Sequence, residues 1–239
     1  AALEAQVARH DLGYPQMYER TGLAELFCAR AAERYDWQIA PGDVEFFSDV
    51  VQTIYLCLMT LTDTGDGVLI QTPIYPPFLH AVAETGRQPL LCPLVRGAAR
   101  YEIDFDALDA AAGNARVLLL CHPHNPTGRA YTRAELDGLA AIVLRHDLLV
   151  ISDEIHADLM LDERRHIPFA SLGDDIAART VTLTAASKAF NIAGLCLACA
   201  VFGSSSLRAR FASLPNHIRG GRSTLGITAA MAAWRDGGP

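Results

Sequence analysis

The chain has 239 residues, 51% of them hydrophobic and 20% charged, with a formal net charge of −7. This length holds one large domain, or one domain plus fragments of a second, the composition is that of a filled globular core and not of a disordered segment, and the acidity speaks against nucleic acid or an anionic membrane as partner. No apolar run reaches the length of a bilayer span, and the charged start Ala1–Arg9 reads as a helix without the apolar stretch of a signal peptide, so the expected compartment is the cytoplasm.

In chain order, the first strong pattern is an amphipathic helix over Asp49–Leu61. A strand follows at Val68–Gln71, a helix at Pro77–Thr85, a strand at Pro89–Leu94 and a helix at Phe105–Ala112. Next come a strand at Arg116–Cys121 and a helix at Thr132–His146, opened by the capping box Thr132-x-x-Glu135. Leu148–Ser152, Thr180–Thr184 and Leu197–Phe202 read as strands, Ser204–Ser213 and Thr224–Arg235 as helices. Near-continuous apolar strands alternating with helices imply a three-layer α/β/α fold around a mostly parallel sheet. In such sheets functional residues gather beyond the carboxyl ends of the strands.

The six cysteines show no disulfide framework; most lie in apolar runs, where a thiol packs as a small hydrophobe. Cys196-x-x-Cys199 and Cys121-His122-Pro123-His124 carry metal-type residues, but neither has a second ligand pair, and no metal site is expected. The cation count is more informative. Lysine and arginine total 20, and Lys188 is the only lysine. Arginine replaces lysine on a surface but not in Schiff-base chemistry, because the guanidinium stays protonated.

Four strand ends then present chemically distinct groups. Tyr75 follows Val68–Gln71, Asn125 follows Arg116–Cys121, Asp153 and His156 follow Leu148–Ser152, and Ser187-Lys188 follows Thr180–Thr184. Each has an ordinary structural explanation taken singly: a cap, a turn or a packed ring. Together they suit pyridoxal 5'-phosphate (PLP). That cofactor needs an amine, a carboxylate at its ring nitrogen, a donor at its ring oxygen, a flat partner for its face and donors for its phosphate. Lys188, Asp153, Asn125 and Tyr75 match the first four; Ser187 and the helix start at Asp49–Val51 match the last.

The stretches Thr72-Pro-Ile-Tyr-Pro-Pro-Phe78, Leu118-Leu-Leu-Cys-His-Pro-His-Asn-Pro-Thr-Gly-Arg129, Ser152-Asp-Glu-Ile-His-Ala-Asp158 and Ser187-Lys-Ala-Phe-Asn-Ile-Ala-Gly-Leu195 resemble the fold-type I PLP enzymes of the class I/II aminotransferase superfamily. Within it they are most similar to the MalY/PatB branch of cystathionine β-lyases (C–S lyases). The resemblance runs through nearly the whole chain. It implies that Lys188 carries the cofactor and moves the Cα proton, that Asp153 pairs with the ring nitrogen, and that Asn125 donates to the ring oxygen with His156 nearby. It further implies that Tyr75 stacks on the ring and helps protonate the leaving sulfur. Ser187 and the amides around Val50 and Val51 would hold the phosphate, and Tyr14 would reach the phosphate of a partner subunit in a homodimer.

The expected substrate is cystathionine or another cysteine S-conjugate; an aminotransferase, or an inactive regulatory relative, would use the same fold. Two departures stand out: Asp49 where relatives carry a small residue, and Cys196 where many carry a cation. The resemblance also implies that residues 1–239 form the PLP-binding large domain, truncated at both ends, without the small C-terminal domain and its carboxylate-binding arginine.

Overall fold

The computed structural model describes residues 1–15, 20–215 and 217–238. Its strands are β1 (Val44–Phe47), β2 (Gly67–Thr72), β3 (Gln88–Pro93), β4 (Val95–Arg96), β5 (Tyr101–Glu102), β6 (Ala115–Cys121), β7 (Leu149–Asp153), β8 (Thr180–Thr184) and β9 (Ala198–Phe202). Its helices are α1 (Ala2–Ala8), α2 (Leu23–Tyr35), α3 (Val50–Leu61), α4 (Pro76–Glu84), α5 (Phe105–Ala112), α6 (Arg133–Arg145), α7 (Asp174–Ala177), α8 (Ser205–Ala212) and α9 (Thr224–Asp236).

Among the described residues, seven strands form one sheet in the order β1-β9-β8-β7-β6-β2-β3, and β4 pairs with β5 in a separate two-stranded ribbon. The five strands from β8 to β3 run parallel. β9 runs antiparallel to both β8 and β1. The expected three-layer, mostly parallel α/β/α architecture is what the chain adopts.

Period-two alternation divides the strand side chains between two cores. Val117, Leu119, Cys121 and Ile151 face one side, with Ile54 and Leu58 of α3 and Phe78 and Val82 of α4. Leu118, Leu120 and Val150 face the other, with Leu108 of α5 and Leu136 and Val143 of α6. Strands apolar on both faces can only lie in the middle of a covered sheet. The same alternation places Asp153 on the face of Ile151, toward α3, and Glu154 on the opposite face.

The strands and helices read from the sequence are present within one or two residues of their expected ends. One shift matters: β7 runs one residue further than expected, so Asp153 is the last residue of the strand and not part of the following loop. Several short or polar elements carried too weak a pattern. β1 is only four residues long and includes Glu45, which is buried against Arg219 and Arg222 at 2.9 and 3.1 Å. β4 and β5 have two residues each. α2 buries Leu23, Phe27 and Ala31 on a stripe that also contains Arg30, and so it reads as polar. It packs with Trp37, Phe46, Val201 and Trp234 in a third core at the β1–β9 edge.

Leu119 lies at the centre of β6 and is 1% exposed. Leu119→Ala should lower unfolding stability by about 2–5 kcal/mol, seen as a lower urea midpoint at unchanged slope; a loss under about 1 kcal/mol would contradict a close-packed site there.

Candidate active site

The carboxyl ends of β2, β6, β7 and β8 converge on one cavity of about 270 Å³. Among its lining residues are Tyr75, Asn125, Asp153, His156, Ser187 and Lys188, together with Val50 and Val51 at the start of α3. Eight of the nine residues singled out from the sequence therefore share a wall. The ninth, Tyr14, lies elsewhere: it is 97% exposed, and it lines a larger cavity, of about 830 Å³, between α1 and α9. That larger cavity contains none of the other eight, so chemistry and not size identifies the site. A further cavity of about 320 Å³ shares Asn125 and His156.

Each group is delivered by local structure that its neighbours dictate. Tyr75 is the N-cap of α4, whose first turn is opened by Pro76 and Pro77; proline fits there because its missing N–H has no helical partner in any case. Asn125 opens a tight turn closed by the His124–Arg129 bridge, with Gly128 at φ +69, a left-handed conformation that favours glycine. The Asn125 N–H points to the Cys121 sulfur at 3.4 Å. The turn is braced from outside by Arg129, which makes two 2.8 Å bonds to Glu135. Glu135 also completes the capping box with Thr132. Lys188 rides on a single helical turn, where Phe190 N–H reaches the Ala186 carbonyl and Ile192 N–H the Ser187 carbonyl.

Asp49 resolves the first departure noted in the sequence. It is the N-cap of α3, and its carboxylate accepts the Gln52 N–H at 2.8 Å. That leaves the Val50 and Val51 amides at the positive end of the helix without intrahelical acceptors. Backbone amides so placed, with the Ser187 hydroxyl on the same cavity wall, suit an anion such as phosphate.

Asp153 is 6% exposed, and its Oδ1 accepts the Ile155 N–H at 3.0 Å. Burial pushes its carboxyl up to about 7; the Ile155 bond opposes this, Glu154 adds to it and Lys188 opposes it. A buried carboxylate facing a cavity is uncompensated until a cationic group meets it, and a protonated pyridine ring is such a group. His156 is held below the ordinary histidine range chiefly by burial, against a hydrogen bond to the Pro123 carbonyl. The donor set, the anion cradle and the amine therefore fit a pyridoxal phosphate group. Among the described residues, no cluster of three or more His, Cys, Asp or Glu could hold a metal ion. Nor is any helix among them long and apolar enough to cross a membrane.

Sequence reading did not single out Phe78, Cys121 and Ile155 as cavity wall. Phe78 and Ile155 lie within the stretches that carry the resemblance, but their apolar side chains give no chemical signal. Cys121 is a buried thiol whose pKa burial drives strongly up, so it acts as packing and as a turn partner.

A mostly parallel sheet with an amine, a buried carboxylate and a helix N-terminus at its carboxyl edge defines a class of α/β enzyme built around a phosphorylated cofactor. The chain matches the family of aminotransferases of class I and II over residues 1–238 and belongs to it. It is 39% identical over 241 residues to cystathionine beta-lyase PatB of Bacillus subtilis (strain 168), covering 100% of this chain and 62% of that protein. The crystal structure of OvoB superimposes with a TM-score of 0.93 at 42% identity, covering 99% of this chain and 62% of that one. Cystalysin from Treponema denticola, solved with pyridoxal 5'-phosphate, gives 0.94 at 32% identity, covering 99% of this chain and 60% of that one. The chain thus spans about three fifths of the length of the relatives it matches.

The raised carboxyl of Asp153 has a consequence for the cofactor-free protein. A carboxyl that holds its proton more tightly folded than unfolded stabilises the fold at low pH, and the advantage is lost as pH rises through the folded value, here about 7. Asp153→Asn should therefore raise unfolding stability above pH 7, on the order of 2–4 kcal/mol, and change it little at pH 4. Urea melts of both proteins at the two pH values measure this; equal effects at both would show that Asp153 is not the titrating group.

Proposed function

We propose that residues 1–239 form the large, cofactor-binding domain of a PLP-dependent carbon–sulfur β-lyase. On this reading the whole protein cleaves cystathionine or a related cysteine S-conjugate to a thiol, pyruvate and ammonia. The observation that carries the reading is the meeting of Lys188, the only lysine, with the buried Asp153 in a cavity that opens at the N-terminus of α3. Likeness to cystathionine beta-lyase PatB supports the C–S bond as the target.

When bound, the cofactor supplies a sink for the electron pair left at Cα once its proton is removed. Lys188 attaches the cofactor through its Nζ. As a free amine it would serve as general base for the Cα proton. Asp153 holds the proton on the ring nitrogen. Asn125 would donate to the ring oxygen, and His156 lines the neighbouring wall. Tyr75 is 42% exposed at the cavity mouth; its ring covers the cofactor face and its phenol protonates the departing sulfur. Val50, Val51 and Ser187 hold the phosphate. Tyr14 stands outside this cavity, and its proposed role is on the phosphate of a partner subunit in a homodimer. Six free cysteines, five of them buried, agree with a cytoplasmic setting.

Reduction with borohydride in the presence of PLP, followed by peptide mapping, should place a pyridoxyl group on Lys188, and Lys188→Ala should abolish both the label and turnover. Thiol and pyruvate should then appear in equal amounts from cystathionine. Amino transfer that requires an added keto acid, with no thiol released, would replace the lyase assignment by an aminotransferase.

A further inference from the structure

Two of the cavity's polar groups, Asp153 and His156, are carried within four residues at the end of β7, and His156 lies in an irregular loop. Loops need external support if a site is to be held to within a fraction of an ångström. The support here comes from a helix that does not touch the cavity. Asp158 Oδ1 accepts from Arg30 Nη2 at 2.9 Å and from Tyr35 Oη at 2.5 Å, and Arg34 Nε stands at 3.5 Å. All three partners lie in the C-terminal half of α2, Arg34 and Tyr35 standing four and five residues after Arg30. The Arg30 and Asp158 side chains are 9% and 11% exposed. Burial, with Asp158 beside it, drives the Tyr35 phenol strongly up, so it keeps its proton and donates.

The helix is itself fixed. Arg30 Nη1 reaches the Trp234 carbonyl of α9 at 3.4 Å, and the Phe27 and Trp234 rings meet at 5.1 Å. None of Arg30, Tyr35, Asp158 or Trp234 lines the cofactor cavity. A buried charged cluster of this kind is a costly way to add stability, since desolvation offsets most of the Coulomb attraction. It does fix geometry, because one oxygen satisfies several donors from a rigid element.

We propose that Asp158 is a positioning residue for the cavity: tied to α2, it fixes the loop that leaves β7 and so holds His156 in the wall beside Lys188. This rests on the reading of that cavity as the cofactor site. The groups facing His156 from other elements are the Pro123 carbonyl of the β6 loop and Lys188 of the β8 loop. If the loop is released, His156 gains water, and the burial that holds its imidazole down is lost.

Asp158→Ala strips a buried guanidinium of its counter-charge and risks unfolding the chain, so two milder variants carry the test. Asp158→Asn keeps the shape, and Tyr35→Phe removes one donor while the ion pair stays. Leu139→Ala, in the buried face of α6, serves as a control for lost stability alone. The first readout is the NMR titration of His156 in cofactor-free protein, with its signal assigned by loss in His156→Gln. Asp158→Asn should move that midpoint up toward the ordinary histidine range, Tyr35→Phe should move it less, and Leu139→Ala should leave it unchanged. The second readout is the PLP dissociation constant, which should rise roughly tenfold in Asp158→Asn. Loss of thermal stability with His156 titration and PLP binding both at wild-type values would overturn the proposal and leave Asp158 a structural brace. Should the wild-type protein fail to bind PLP, the cofactor reading falls, and the His156 titration decides the role of Asp158 by itself.

Discussion

Asp153 ends β7, the central strand of the seven, with parallel neighbours on both sides and 6% of its surface exposed. A carboxylate in that position loses its hydration and gains little from the protein in return. The groups around it follow from this constraint. The strand must be flanked closely enough to exclude water, which the apolar faces of β6 and β8 achieve. A cation must meet the carboxylate from the open side, and that side is the cavity containing Lys188 and the amides of α3. The anion cradle, the amine and the carboxylate are thus complementary to a ligand that is negative at one end and positive at the other.

The cavity lies at the carboxyl edge because of the direction of the chain. Five parallel strands release their loops at the same edge of the sheet, and the connections between them return the chain to the opposite edge. β9, antiparallel to its neighbours, closes the series and lets β1 add beside it. The loops do not hold themselves. The Asn125 turn is braced by Arg129 and Glu135, and the Asp153–Asp158 segment is tied on both sides. Glu154 accepts from Ser152, His166 and the Phe169 N–H, on the face of the sheet turned away from the cavity. Asp158 is tied to α2. Side chains that the cofactor would contact are thereby separated from those that set their positions.

Much of this was legible in the sequence because its physics is local. Apolar periodicity marked β2, β6, β7, β8 and helices α3 to α6 within a residue or two. The Thr132–Glu135 capping box marked the start of α6, and the single lysine pointed to itself. The Asn125-Pro-Thr-Gly128 turn is specified by residues in contact along the chain. Elements held by distant partners gave weaker signals. β1 contains a glutamate that is buried only because Arg219 and Arg222 reach it. α2 hides its buried stripe behind Arg30, whose partner Asp158 is 128 residues away.

The sequence by itself determined the strand–helix alternation, the identity of the reactive groups and their common place at strand ends, since each depends on neighbours within a few residues. The tertiary structure alone decided the rest. It made Asp153 a buried strand residue and not a solvated loop carboxylate, and left Tyr14 outside the cavity that its fellow candidates share. It also fixed the β7 loop against α2. In each case the deciding quantity was burial or the position of a partner far along the chain, and neither exists until the sheet is assembled.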